Sequence, residues 1–148
     1  MRRLILLLCF GIISSIAGPH DEKVIYIEES PIYRPYEALW GAVCRVESGN
    51  DPHAIGDKKL KHKAYGIAQI RQPRLDDYYR HTGTKYTVYE MFDITKSKSV
   101  FLWYAMQNSP NEIEKSIRQW NGGPQGHKKQ STKKYLKKIK KHLDNSKI

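Results

Sequence analysis

Glu47 carries the strongest chemical signal in the 148-residue chain. It sits at the end of a predicted helix, with Cys44 three positions before it and Trp40 seven, so its carboxylate lies beside an apolar stripe. Desolvation by that stripe and the negative end of the helix both disfavour the charged form and push the pKa upward. A carboxylic acid tuned in this way donates a proton near neutral pH, which an oxygen leaving group needs because an alkoxide departs poorly. A glutamate at a helix end is more often just a solvated surface residue, so the local setting alone does not make Glu47 catalytic. Asp51 and Asp57 are the nearest candidates for a second carboxylate, but their polar loop gives no reason to place either opposite Glu47.

Other chemistries find less support. His53 and His62 share a loop with Asp57, yet no close His-x-x-x-His or paired-cysteine arrangement exists, so neither a metal nor another cofactor is expected. Cys44 falls on the apolar stripe and reads as a core residue.

The elements that position Glu47 are expected to form one mostly α-helical domain. With 39% hydrophobic and 28% charged residues, the chain has apolar material for a single core and is too short for two. From Tyr36 the pattern is helical: Leu39, Val43 and Val46 share one line, Trp40, Cys44 and Glu47 an adjacent one, and the helix ends near Gly49 or Asn50. Asp51 to Lys63 reads as an exposed loop, with room for a short hairpin as far as Ala64. The run from Ala64 to Ile70 reads as a compact apolar turn with a short helix. Leu75, Tyr78 and Tyr79, between Pro73 and Gly83, predict another helix, and the apolar run Val100 to Met106 within Thr95–Asn108 predicts a central buried one. Ser109-Pro110-Asn111-Glu112 supplies an N-cap, a proline at N1 and an acid at N3 for a helix bearing Ile113, Ile117 and Trp120. Asn121 to Pro124 stops it. Ser131 or Thr132 then caps a lysine-rich last helix with Tyr135, Ile139 and His142 on one side, flanked by Leu136 and Leu143.

The first residues read as an export signal. Met1-Arg2-Arg3 precedes an apolar run, and Ser15-Ile16-Ala17 has the small-x-small pattern of a cleavage site, so residues 1–17 are expected to be removed. The apolar run from Leu4 to Ile16 spans 13 residues, short of the roughly 20 that cross a bilayer. Cys9 follows leucines rather than the small residues of a lipid-attachment site. Cleavage would lower the formal charge from +11 to +9 and leave Cys44 as the sole cysteine, with no intrachain disulfide. Residues 18–35 read as a tether because Pro31 and Pro35 interrupt regular hydrogen bonding, and residues 36–148 as the domain. A periplasmic or secreted protein without a stable transmembrane segment is expected.

Three ordered motifs change the weight on Glu47. Glu47-Ser48-Gly49-Asn50-Asp51-Pro52-His53-Ala54, Gly66-Ile67-Ala68-Gln69-Ile70 and Trp120-Asn121-Gly122-Gly123-Pro124 together resemble the motifs of the soluble lytic transglycosylase family. The resemblance runs from about Tyr36 to Leu143. It implies a lysozyme-like domain with a substrate cleft, related in fold to goose-type lysozyme, that acts on peptidoglycan glycan strands. It makes Glu47 the sole catalytic acid and base, with Ser48, Gly66, Gln69, Asn121 and Tyr135 around the substrate. In this pattern Ser48 organises the site, Gly66 leaves room for backbone or sugar, Gln69 lines the groove, Asn121 faces the sugar or its N-acetyl group, and Tyr135 stands beside the acid. Each also has a plainer reading: a capped carbonyl for Ser48, a tied-down loop for Gln69, a helix stop for Asn121, a core aromatic for Tyr135. Trp120 replaces the usual tyrosine or other aromatic of the motif.

The resemblance further implies cleavage between N-acetylmuramic acid and N-acetylglucosamine with 1,6-anhydromuramoyl ends. Goose-type hydrolysis, with Asp57 positioning a water, is the alternative mechanism. Small exported enzymes of this kind accompany wall-spanning secretion machines, which are a further candidate partner. Residues Lys128 to Lys147 hold nine lysines against Asp144 alone, a surface able to bind phosphates without base specificity. Aromatic interleaving is sparse and export disfavours nucleic acid, so no specific nucleic-acid partner is expected; an anionic wall polymer fits better. A non-catalytic glycan-binding module and a membrane-disrupting cationic protein are the competing classes. Loss of turnover in Glu47→Gln with glycan binding retained separates the enzyme from the first, and vesicle leakage that persists in that variant marks the second.

Overall fold

The computed structural model describes residues 34–144. The expected signal and all of the expected tether before residue 34 lie outside the described residues. Five helices dominate: α1 (Arg34–Ser48), α2 (Gln72–Thr82), α3 (Ile94–Ala105), α4 (Ile113–Gly122) and α5 (Thr132–Asp144). A two-stranded antiparallel ribbon, β1 (Ile55–Gly56) with β2 (Ala64–Tyr65), pairs Ile55 with Tyr65 and Gly56 with Ala64 between α1 and α2. Short 3-10 turns at Val88–Phe92, Pro110–Glu112 and Gly126–Lys128 complete the path.

Helix α1 is the spine, because Tyr36, Leu39, Trp40, Val43 and Cys44 recur at the spacing of one helical face and are all buried. It starts at Arg34, so Pro35 lies in its first turn rather than in a tether; a helix start has no intrahelical acceptor for the missing N–H. α1 packs on α3 and α5, and α4 packs on α3 and α5. Val43, Ile70, Met91, Val100 and Ile139 meet in the centre with no exposed surface, each such burial worth about 1.5–3 kcal/mol. The Tyr36 hydroxyl donates to the Asn108 carbonyl at 2.7 Å and pins the start of α1 to the end of α3.

Three local expectations are corrected. The Ala64–Ile70 segment contains no helix: Gly66 (φ 73°) and Gln69 (φ 52°) are left-handed, and Tyr65 bridges Ile70 to close a tight turn. α3 buries one face only, with Val100, Phe101 and Ala105 inside while Leu102, Trp103 and Tyr104 remain half-buried. Thr132 spends its hydroxyl on the carbonyls of Gly126 and Lys129, each at 2.8 Å, and accepts from Arg118, so it locks the preceding turn instead of capping α5. The Ser109–Glu112 capping box does form, although its first product is a single 3-10 turn ahead of α4. Gly83, left-handed at φ 72°, ends α2 as expected.

Candidate active site

One side of the domain is built where helix ends converge. Glu47 occupies the last turn of α1, Trp120 and Asn121 the last turn of α4, and Tyr135 the first turn of α5. The core that packs α1 and α4 against α5 fixes their mutual distances. The Tyr135 hydroxyl donates to Glu47 Oε1 at 2.6 Å, 88 residues away in sequence. The Trp120 side chain also favours the charged form of the same carboxylate.

Glu47 is half-buried, and its carboxyl pKa is raised. Desolvation is the largest cause; the hydrogen bonds from Tyr135 and Trp120 and the positive charges of Arg74 and Arg71 favour the ionised form and limit the rise. A carboxyl that is desolvated yet supplied with donors can give up a proton and take it back, which a fully apolar pocket would prevent. Burial and the charge of Glu47 push the Tyr135 phenol upward, so it stays a donor over the working pH range.

Arg74 is the main residue that sequence reasoning missed. Its guanidinium lies 4.0 Å from the Trp120 ring centre and 4.6 Å from that of Tyr104, and Nη2 donates to the Trp120 carbonyl at 2.7 Å. Burial lowers its pKa, but a guanidinium remains charged in proteins. The signal was present in the order Gln69-Ile70-Arg71-Gln72-Pro73-Arg74: the second motif runs straight into the first turn of α2, which returns basic residues toward Glu47.

A cavity of about 510 Å³ opens over this cluster, lined among others by Glu47, Asp57, Gln69, Arg71, Arg74, Trp120 and Asn121. Of the expected site residues, Glu47, Gln69 and Asn121 therefore line one space, and Tyr135 meets it through Glu47. Gln69 also donates to the carbonyls of Ala54 (3.2 Å) and Gly66 (2.9 Å), so its plainer role of tying the loop holds alongside. Ser48 and Gly66 are not among the lining residues. Ser48 Oγ donates to the Ile67 carbonyl at 2.8 Å and to that of Cys44 at 3.2 Å, anchoring the second motif to the end of α1. Gly66 is required by backbone, not sugar: a Cβ there would lie 1.8 Å from the Met91 carbonyl oxygen.

Asp57 differs from expectation. No local pattern brings it near Glu47, but the hairpin carries it into the same cavity, where Arg71 holds its carboxylate in an ion pair. Among the described residues no three His, Cys, Asp or Glu side chains converge as a metal site.

A helical domain that sets a half-buried glutamate of raised pKa, hydrogen-bonded by a tyrosine, at an open polar cavity holds a group able to exchange a proton there. The transglycosylase SLT domain family matches residues 25–143, and the chain belongs to that family, whose activity is the lytic cleavage of peptidoglycan. The match begins inside the segment read as a tether. No curated protein and no solved structure gives a significant match.

Proposed function

We propose that the chain is a peptidoglycan lytic transglycosylase that cleaves the β-1,4 bond between N-acetylmuramic acid and N-acetylglucosamine and leaves 1,6-anhydromuramoyl ends, with Glu47 as acid and then base. The observation that carries this reading is the Tyr135–Glu47 contact at the cavity. The upward shift of its pKa favours the protonated carboxyl, the form that serves the glycosidic oxygen as the bond breaks. The substrate's own N-acetyl group supports the positive charge developing at C1. The resulting carboxylate, steadied by the Tyr135 donor and by the nearby Trp120 and Arg74 side chains, then takes the proton of the muramic 6-hydroxyl as that oxygen closes on C1. Every proton is returned and no water is consumed. Asn121 and Gln69 offer amides along the cavity for the sugar substituents, while Ser48 and Gly66 act by holding the second motif in place.

A second reading has one observation in its favour: Asp57 shares the cavity with Glu47. In that reading Asp57 positions a water and the products are hydrolytic, as in goose-type lysozyme. The Arg71 pair weakens it, because the guanidinium offsets the negative charge a base must use. Digestion of purified peptidoglycan followed by mass analysis separates the two. Anhydro ends are one water lighter than reducing ends. Predominantly reducing muramic ends, or loss of turnover in Asp57→Asn, would overturn the transglycosylase assignment.

Among the described residues no helix is long and apolar enough to cross a membrane. Together with the basic and apolar residues at the start of the sequence, this supports a periplasmic or secreted enzyme, and wall-spanning secretion machinery remains a proposed partner.

A further inference from the structure

Outside the cavity, the solvent face of α5 has an unusual uniformity. Between residues 133 and 141 its exposed positions are Lys133, Lys134, Lys137, Lys138, Lys140 and Lys141, while Tyr135, Leu136 and Ile139 turn inward. At about 1.5 Å of rise per residue, Lys133, Lys137 and Lys141 form a row roughly 12 Å long. No acidic residue occurs between Glu114 and Asp144. Lys140 pairs with Glu114, and among the described residues the other five have no carboxylate partner.

Solubility alone does not explain this face. Interspersed glutamate and lysine would serve it and would add favourable pairs four residues apart, whereas Lys133/Lys137, Lys134/Lys138 and Lys137/Lys141 repel at that spacing. The arrangement gives up helix stability for a concentrated positive field.

We propose that the lysine face of α5 is a docking surface for a linear phosphodiester polymer of the cell envelope, of the polyol phosphate kind. Lysine ammonium groups accept a phosphate from many directions, which suits a flexible chain with evenly recurring charges. None of the six exposed side chains is aromatic, so the face offers no platform on which bases stack. Ile139 and the rest of the apolar side are packed into the core, so α5 has no face left to insert into a bilayer. Tyr135 lies on the same helix, so a polymer held here keeps the Glu47 cavity within about one helix diameter of the wall.

This surface is independent of the chemistry, so binding is measured on the full chain carrying Glu47→Gln, which removes digestion from the assay. The probe is soluble poly(glycerol phosphate), titrated at several salt concentrations. The parent should bind it with a steep salt dependence. Adding K133Q, K137Q and K141Q should lower the slope of log K against log salt by about 2 and weaken binding at least tenfold near 50 mM salt. Adding K58Q, K59Q and K61Q instead removes the same charge from the exposed loop and should leave the slope unchanged. Circular dichroism confirms that both variants fold. Equal losses in the two variants would reduce the effect to net charge and overturn the proposal, as would failure of the parent to bind. Tighter binding by the parent to single-stranded DNA of equal charge, or to phosphatidylglycerol vesicles, would overturn the polyol phosphate assignment.

Discussion

The two walls of the cavity are built differently. One is made of helix ends: Glu47, Trp120 and the Tyr135 hydroxyl behind them are set by the packing of α1, α4 and α5, whose contacts run through the core. The other is loop: Gly56, Asp57 and Gln69 come from the ribbon and its turn, and Asp57 and Arg71 form an ion pair with both side chains about two-fifths exposed. In the proposed mechanism, the groups that must hold a proton-transfer geometry within tenths of an ångström lie on the wall with the least freedom. The loop wall supplies shape and a charge pair that solvent screens.

The largest expected effect tests that division directly. Glu47→Gln should lower turnover on peptidoglycan by about a thousandfold or more, within the range attributed to a positioned acid–base group. Asp57→Asn, on the loop wall, should cost less than about tenfold in the same mass-resolved assay. Comparable losses in the two variants would erase the distinction and revive a two-carboxylate mechanism.

Next in size is a stability effect that confines the loop wall's rigidity to one point. Gly66→Ala forces a side chain into a left-handed backbone and onto the Met91 carbonyl, and should cost about 2–4 kcal/mol in urea unfolding. Arg71→Gln, which breaks only the exposed pair with Asp57, should cost less than about 0.5 kcal/mol. If Gly66→Ala unfolds at the parent's midpoint, the turn is softer than its geometry states.

The pH profile sharpens the role of the helical wall. Arg74 and the Tyr135 hydroxyl both favour the carboxylate of Glu47, so Arg74→Gln and Tyr135→Phe should each raise its pKa further. The alkaline limb of kcat/KM, which reports loss of the protonated acid, should move to higher pH in both variants, with the maximal rate down about tenfold. Arg74→Lys keeps the charge but loses the planar stack between Trp120 and Tyr104, so it should restore part of the pH position and little of the rate. A limb that stays fixed in both would show that neither group acts on Glu47.

The helical wall was largely legible in the sequence and the loop wall was not, for a physical reason. Period 3.6 announces which face of α1 is buried, and a capping box announces where the turn ahead of α4 starts, so Glu47, Trp120 and Asn121 could be set at helix ends from local pattern alone. The Tyr135 contact spans 88 residues and came only from the family resemblance, since no local rule brings α5 back to α1. The Ala64–Ile70 turn misled because its apolar composition suits a helix. Its conformation is decided by the left-handed Gly66 and Gln69 and by the backbone of Met91, 25 residues onward. Asp57 could not be placed from the sequence for the same cause: its position follows from the register of a ribbon only two residues deep. Arg74 escaped because the run from the second motif into α2 marks where it lies in the chain, while no spacing announces that two aromatic faces will hold its guanidinium.

The smallest effect concerns what the helical wall costs. The Glu47 pKa is raised in the folded chain, so the folded state binds that proton more tightly than the unfolded state does. The associated stability is fully present below the ordinary glutamate range and is lost as pH rises through the folded pKa. Above that pKa the domain carries a desolvated charge that a neutral amide would not impose. Glu90 runs the other way, held down to about 2, with Lys96 as the largest cause, so its stabilisation is lost on acidification; that loss is common to parent and variant and cancels in their difference. Glu47→Gln keeps an oxygen to accept from Tyr135, so it should melt a few degrees above the parent at pH 7, at about 4–8 °C per kcal/mol for a domain of this size. The gap should close as pH falls to about 3, below the ordinary glutamate range, where the parent's carboxyl is protonated in both states. A gap of the same size at about pH 3 and about pH 7 would trace it to packing, and no gap at either pH would mean that the donors around Glu47 offset its burial in full.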